Sequence, residues 1–213
     1  MSRILIWFVK ITSILPQYIV YRKKVYYVNK KVKKYKGGAL LVSNHTSIYD
    51  YPLILFTFYW KTIRTLIAKE VYNRNRILSL FLKGMGGIKV DRQSYDFTFT
   101  TKMIKWLKKK KYGLIFPESR LPYPHERGDL LEFKPSYIYL ALEAGVPIIP
   151  IYTNGVYGPS KRRKLKDRAR IVVGEAIDLR DLLSDERNEK ENIEWINNYV
   201  KQYMIDLALT LKK

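Results

Sequence analysis

Gly37-Gly38-Ala39-Leu40-Leu41-Val42-Ser43-Asn44-His45-Thr46-Ser47-Ile48-Tyr49-Asp50-Tyr51-Pro52-Leu53-Ile54-Leu55-Phe56 is the stretch that decides the architecture. Two glycines lead into a short apolar run, Ala39–Ser43, which predicts a strand. A polar turn follows. Tyr51–Trp60 is then apolar for long enough to make a helix, with Asp50 placed to cap it and Pro52 tolerated in its first turn. A strand, a polar turn and a helix make one βα step.

The same alternation continues outward from it. Thr65–Ala68 and Gly87–Val90 read as strands with a helix over Asn75–Lys83 between them. Phe97–Lys111 is an amphipathic helix, with Phe99, Met103, Trp106 and Leu107 on one face and Lys102, Lys105 and Lys109 on another. Leu114–Phe116, Val146–Ile151 and Ala169–Val173 are further strands, Ser136–Ala144 is a helix ended by Gly145, and Lys190–Leu211 closes the chain as a helix. Short strands separated by helices predict an α/β fold, a single domain with a largely parallel central sheet flanked by helices. The division expected is residues 1–36 as an N-terminal membrane-associating helix and basic segment, and residues 37–213 as the α/β domain.

With 213 residues there is length for one main core and too little for a second. Hydrophobic residues at 47% and aromatics at 14% supply that core, which argues against wholesale disorder. The absence of cysteine excludes disulfides, thiolate zinc sites, iron–sulfur clusters and a cysteine nucleophile. His45 and His125 are the only histidines, too few for a multi-histidine metal centre. Forty Lys and Arg against 19 Asp and Glu leave a charge of +21, which calls for an anionic partner: nucleic acid, an anionic membrane surface or a phosphorylated substrate.

Ile4–Tyr21 falls a little short of a bilayer span and contains Lys10 and Pro16. Arg3, Lys10 and Gln17 recur every seven positions, a narrow polar stripe on an apolar helix. That pattern predicts a helix lying in the membrane interface, broken or kinked at Pro16; a buried first helix of the core is the plainer reading. No small-residue cleavage site follows, so a signal peptide fits poorly. Arg22–Lys36 carries eight basic residues, three tyrosines and no acidic residue, as a juxtamembrane segment drawn to anionic lipid would. Lys108–Lys111 and Lys161–Arg170 are further basic clusters. Basic residues with tyrosines also suit single-stranded nucleic acid, but no RNA-binding aromatic motif or zinc finger accompanies them.

In open α/β sheets, ligands gather beyond the carboxyl ends of the strands, where Asn44–Asp50 falls. With His45 in the loop and Asp50 at the helix start, the imidazole can fold back on the carboxylate. One ring N–H is then held, the tautomer is set, and the other nitrogen is left as a base. Taken alone, this spacing is equally that of a helix cap beside an ordinary loop histidine. Asn44-His45-Thr46 is also a glycosylation sequon, with nothing to indicate secretion.

Four blocks in order resemble the glycerolipid acyltransferase family, particularly the bacterial lysophosphatidate acyltransferases. Asn44, His45 and Asp50 match its first motif, and Gly86-Gly87-Ile88-Lys89-Val90-Asp91-Arg92 its second, with Lys89 at a usually apolar position. Phe116-Pro117-Glu118-Ser119-Arg120 approximates Phe-Pro-Glu-Gly-Thr-Arg, one residue short, and Phe133-Lys134-Pro135-Ser136 echoes the downstream Phe-Lys-x-Gly. Val146-Pro147-Ile148-Ile149-Pro150-Ile151 matches the fourth. The blocks cover about residues 30–175. Lipid A acyltransferases, which have Glu at the position of Asp50, are a poorer match.

The resemblance implies transfer of a fatty acyl group from acyl-CoA or acyl-carrier protein to a lysophospholipid hydroxyl at the cytoplasmic face of the membrane, giving phosphatidate. It implies His45 and Asp50 as the catalytic pair and Asn44, Arg92, Glu118, Arg120 and, more weakly, Lys134 around the acceptor. Such chemistry requires no cofactor, metal or enzyme nucleophile. The substrate hydroxyl attacks once His45 takes its proton, and a thiol of pKa about 8.5 leaves readily. Glycerol-3-phosphate or a non-phosphate lysolipid stays open as acceptor, as does a basic module that binds nucleic acid or anionic lipid without catalysis.

Overall fold

The computed structural model describes residues 3–91, 98–154 and 169–211. Seven strands form one sheet: β1 (Lys24–Tyr27), β2 (Ala39–Ser43), β3 (Ile63–Ala68), β4 (Ile88–Val90), β5 (Tyr112–Ile115), β6 (Ile148–Asn154) and β7 (Arg170–Val173), in the order β1-β7-β6-β2-β5-β3-β4. Every pairing is parallel except β6 with β7. The α/β architecture and largely parallel sheet are those expected. β2 and α6 (Ser136–Ala144) have the predicted bounds. Gly145, at φ 62°, takes the left-handed conformation that ends α6 at little steric cost.

Both faces of the central strands are covered, which is why they read as unbroken apolar runs. Leu41 of β2 faces α1 (Arg3–Tyr21) and α2 (Asp50–Thr57); its neighbours Leu40 and Val42 face α5 (Thr98–Leu107), α6 and α7 (Glu189–Leu209). Gly113 of β5 lets α5 sit close, since a Cβ there would lie 2.8 Å from the Met103 sulfur.

Three findings differ from expectation. The basic run supplies the edge strand β1, so the sheet begins upstream of Gly37. Helix α1 continues through Pro16, where a break or a kink is predicted, so the break is not formed. And its polar stripe points inward: Lys10 is 1% exposed and Gln17 6%. Lys10 Nζ donates to the carbonyls of Tyr59 and Lys61, and Gln17 Nε2 to that of Pro52 at 2.9 Å. Buried polar groups must be hydrogen-bonded, and these carbonyls satisfy them. Apolar Ile4, Phe8, Ile11, Leu15, Tyr18 and Ile19 are left on the outside. Among the described residues no helix is long and apolar enough to cross a membrane.

Candidate active site

β2 and β5 are parallel neighbours, so the loops that follow them lie side by side at the sheet's carboxyl edge. The helix after β2 packs on one face of the sheet and the helix after β5, α6, on the other, so a crevice opens between the two strand ends. A second feature deepens it. Strand β3 pairs with β5 over residues 63–65, and its remaining residues 66–68 pair with β4 before the one-turn helix α3 (Lys69–Tyr72). The resulting cleft, about 570 Å³, runs from His45 past Thr65, Leu66, Val71 and Leu82 to Val90 and Phe99. Glu70, Ser119 and Ser136 also line the cleft, but most of its wall is apolar.

His45 Nδ1 lies 3.0 Å from Asp50 Oδ2. Asp50 is fully buried, and the same oxygen accepts the backbone N–H groups of Thr46 (2.6 Å) and Ser47 (2.8 Å) while Oδ1 accepts the Thr46 hydroxyl (3.0 Å). The expected helix cap is not formed. The N-cap position is Tyr49, with no side-chain cap bond, and the Asp50 carboxylate turns back over its loop. The imidazole stacks on Phe116 at 4.2 Å. With Nδ1–H given to Asp50, Nε2 is the nitrogen available to a substrate proton in the cleft.

The residues grouped with this pair divide by what they touch. The Asn44 amide is committed to the sheet: Oδ1 accepts Thr153 N–H at 2.7 Å and Nδ2 donates to Thr153 O at 3.0 Å, tying the His45 loop to β6. Glu118, expected at the acceptor, accepts the N–H of His45 at 2.8 Å and that of Leu131 at 3.2 Å. Its carboxylate thus braces the His45 backbone. Arg120 lines the cleft, its fork held by Glu126 through two hydrogen bonds of 2.7 Å and its plane over Tyr123. That guanidinium holds the Glu126 carboxyl down at about 2. Lys134 is exposed beside Glu132, and His125 is exposed against Tyr123. Asp91 accepts from Lys69 Nζ at 2.6 Å; Arg92 lies outside the described residues, as does most of the Lys161–Arg170 cluster.

Sequence reasoning missed the Phe116 stack, the paired N–H donors on Asp50 and the forked cleft. Phe116 opens the third block, so its nearness to His45 had a signal; the fork is a matter of strand pairing between distant segments and had none.

Burial pushes the Glu118 carboxyl up to about 7, the two N–H bonds offsetting only part of the shift. A carboxyl whose folded pKa exceeds its unfolded value stabilises the fold least when ionised. Its contribution is therefore fully present below about 4.5 and lost as pH rises through about 7, on the order of 3 kcal/mol across that window. Glu118→Gln cannot titrate and leaves one buried N–H without an acceptor. Urea unfolding across this range is expected to show the wild-type advantage over Glu118→Gln shrinking as pH rises. A difference independent of pH would contradict the raised pKa.

No curated protein matches the chain significantly. Among solved structures it is similar to the 1-acyl-sn-glycerophosphate (LPA) acyltransferase PlsC from Thermotoga maritima, at 19% identity and a TM-score of 0.67, over 95% of this chain and 79% of that one. The family profile described as Acyltransferase matches residues 24–154. Because that match spans more than half of the chain and holds both loops of the His45 site, the chain belongs to the acyltransferase family.

Proposed function

We propose that the chain transfers a fatty acyl group from acyl-CoA or acyl-carrier protein to the sn-2 hydroxyl of 1-acylglycerol-3-phosphate, giving phosphatidate. The observation that carries this reading is the His45–Asp50 pair opening onto an apolar cleft with an arginine at its rim. His45 Nε2 takes the acceptor's hydroxyl proton as that oxygen attacks the thioester carbonyl. The tetrahedral intermediate expels the thiolate, and the imidazolium returns the proton to the sulfur. Asp50 stabilises the imidazolium between the two transfers. The cleft suits an acyl chain. Arg120 meets the acceptor phosphate by exchanging its Glu126 partner for it, one bidentate pair for another.

A transfer assay pairing each donor with lysophosphatidate, glycerol-3-phosphate and monoacylglycerol tests the reading. One charge-assisted contact is worth roughly 1.5–3 kcal/mol, so lysophosphatidate is expected to exceed monoacylglycerol by at least about ten-fold in kcat/KM. Arg120→Ala should shrink that preference. Equal use of both acceptors by the wild type would remove lysophosphatidate as the substrate.

Membrane association at the cytoplasmic face belongs to the same proposal. It is supported by the outward apolar residues of α1, by exposed Ile77, Leu80 and Phe81 on α4 (Arg76–Gly84), and by the basic run that follows α1. Changing Phe8, Ile11 and Leu15 together to Asp should abolish flotation with vesicles, and salt should weaken only the part due to anionic lipid. Unchanged flotation of this triple variant would place the anchor elsewhere.

A further inference from the structure

The inward stripe of α1 has a second partner besides the core: the helix that carries Asp50. Along its length α1 runs antiparallel to α2 and touches both of its ends. Tyr21 packs on Tyr49, just before Asp50, with ring centroids 5.6 Å apart, and Gln17 binds the carbonyl of Pro52 in the first turn. At the other end Trp7 meets Tyr59 and Trp60 at 5.7 and 5.8 Å, and the buried Lys10 ammonium binds the carbonyls of Tyr59 and Lys61 just beyond the last turn. Burial lowers the Lys10 pKa to about 8, and the Trp7 and Tyr59 rings flank its cation at 5.4 Å each. Gly84 of α4 admits Leu5 closely enough that a Cβ there would collide with it, so α1 is seated on α4 as well.

Helix α2 has only eight residues and no side-chain N-cap bond. So short a helix is marginal by itself, and its position depends on what grips it. The His45 loop has supports of its own, Asn44 on β6 and Glu118 on the neighbouring loop. It meets α2 where the Asp50 carboxylate accepts the Thr46 and Ser47 amides, so a shift of α2 on its α1 supports is felt at that junction.

We propose that Lys10 and Gln17 are positioning residues of the active site, fastening α2 at its two ends so that the Asp50 carboxylate stays in register with His45. The N-terminal helix is then part of the catalytic scaffold through its inner face, whatever its outer face meets. This inference rests on the His45–Asp50 reading above.

The test is a double-mutant cycle in the full chain, in detergent micelles, with acyl-CoA and lysophosphatidate. Gln17→Met and Lys10→Met are each made alone and on Asp50→Asn. A misplacement near 1 Å costs up to about a hundred-fold. Gln17→Met is therefore expected to lower kcat by about ten-fold or more with KM for both substrates within about two-fold. On Asp50→Asn the same change should cost less than about two-fold, because the group it positions has already been disabled. Lys10→Met should behave alike. Far-UV circular dichroism accompanies each variant, and Gln17→Met, which deletes one hydrogen bond at nearly constant volume, carries the test should Lys10→Met not fold. Equal losses in both backgrounds, or no loss of kcat in Gln17→Met, would overturn the proposal while leaving the dyad standing. Full turnover in Asp50→Asn alone would overturn the dyad, and the proposal with it.

Discussion

His45→Ala is expected to lower acyl transfer by about 10²–10⁴-fold or more at saturating substrates, with the fold unchanged. Among the described residues, the side chain that is lost has a polar contact to Asp50 and a stacking contact to Phe116. What roots the loop remains: the backbone N–H of residue 45 still meets Glu118, and Asn44 still holds β6. The Thr46 and Ser47 amides keep Asp50 as acceptor. Turnover measured beside far-UV circular dichroism separates the two effects. Near-wild-type turnover in folded His45→Ala would end the general-base mechanism.

Asp50→Asn should come next, with a loss of about 10²–10⁴-fold and little change in stability. Three donors converge on Oδ2, and an Asn oxygen can take that place while its NH₂ faces the Thr46 hydroxyl, which then accepts. The hydrogen bonds survive but the charge does not, so the imidazolium formed during transfer goes unsupported. Asp50→Ala differs. It strands the buried amides of Thr46 and Ser47, each costing about 1–3 kcal/mol, and should lower both activity and stability. Thermal unfolding and turnover of the two variants together distinguish them. Asn as destabilising as Ala would mean that Asp50 acts in the fold by its charge.

The parts of the fold legible in sequence were those whose determinants are local. Ala39–Ser43 is apolar up to its last residue and bounded by glycines and a polar turn, so its limits could be read directly. Ser136–Ala144 stops where Gly145 permits a left-handed turn. β1 escaped notice because its alternating Val25 and Tyr27 lie inside a run of lysines, and the charge masks the period. Helical periodicity puts Lys10 and Gln17 on one face but does not say which way that face points. The carbonyls that draw it inward come from residues 52, 59 and 61, more than 30 positions on. The same holds at the site. His45 and Asp50 are five residues apart, so their meeting across a loop and a helix start was legible locally. Glu118 reaches the His45 amide only through the parallel pairing of β2 with β5, and nothing in the residues near it signals its burial.

In this mechanism His45 activates the acceptor hydroxyl directly, and no acyl group passes through the protein. Thiol release from acyl-CoA, followed together with lipid product in wild type and His45→Ala, distinguishes this route from one through an acylated protein. The result expected is that thiol appears only when lysophosphatidate is present, one thiol per phosphatidate formed, and that both vanish together in His45→Ala. Thiol released without acceptor and matched by an acylated chain in the mass spectrum, or product formed equally well by His45→Ala, would contradict it.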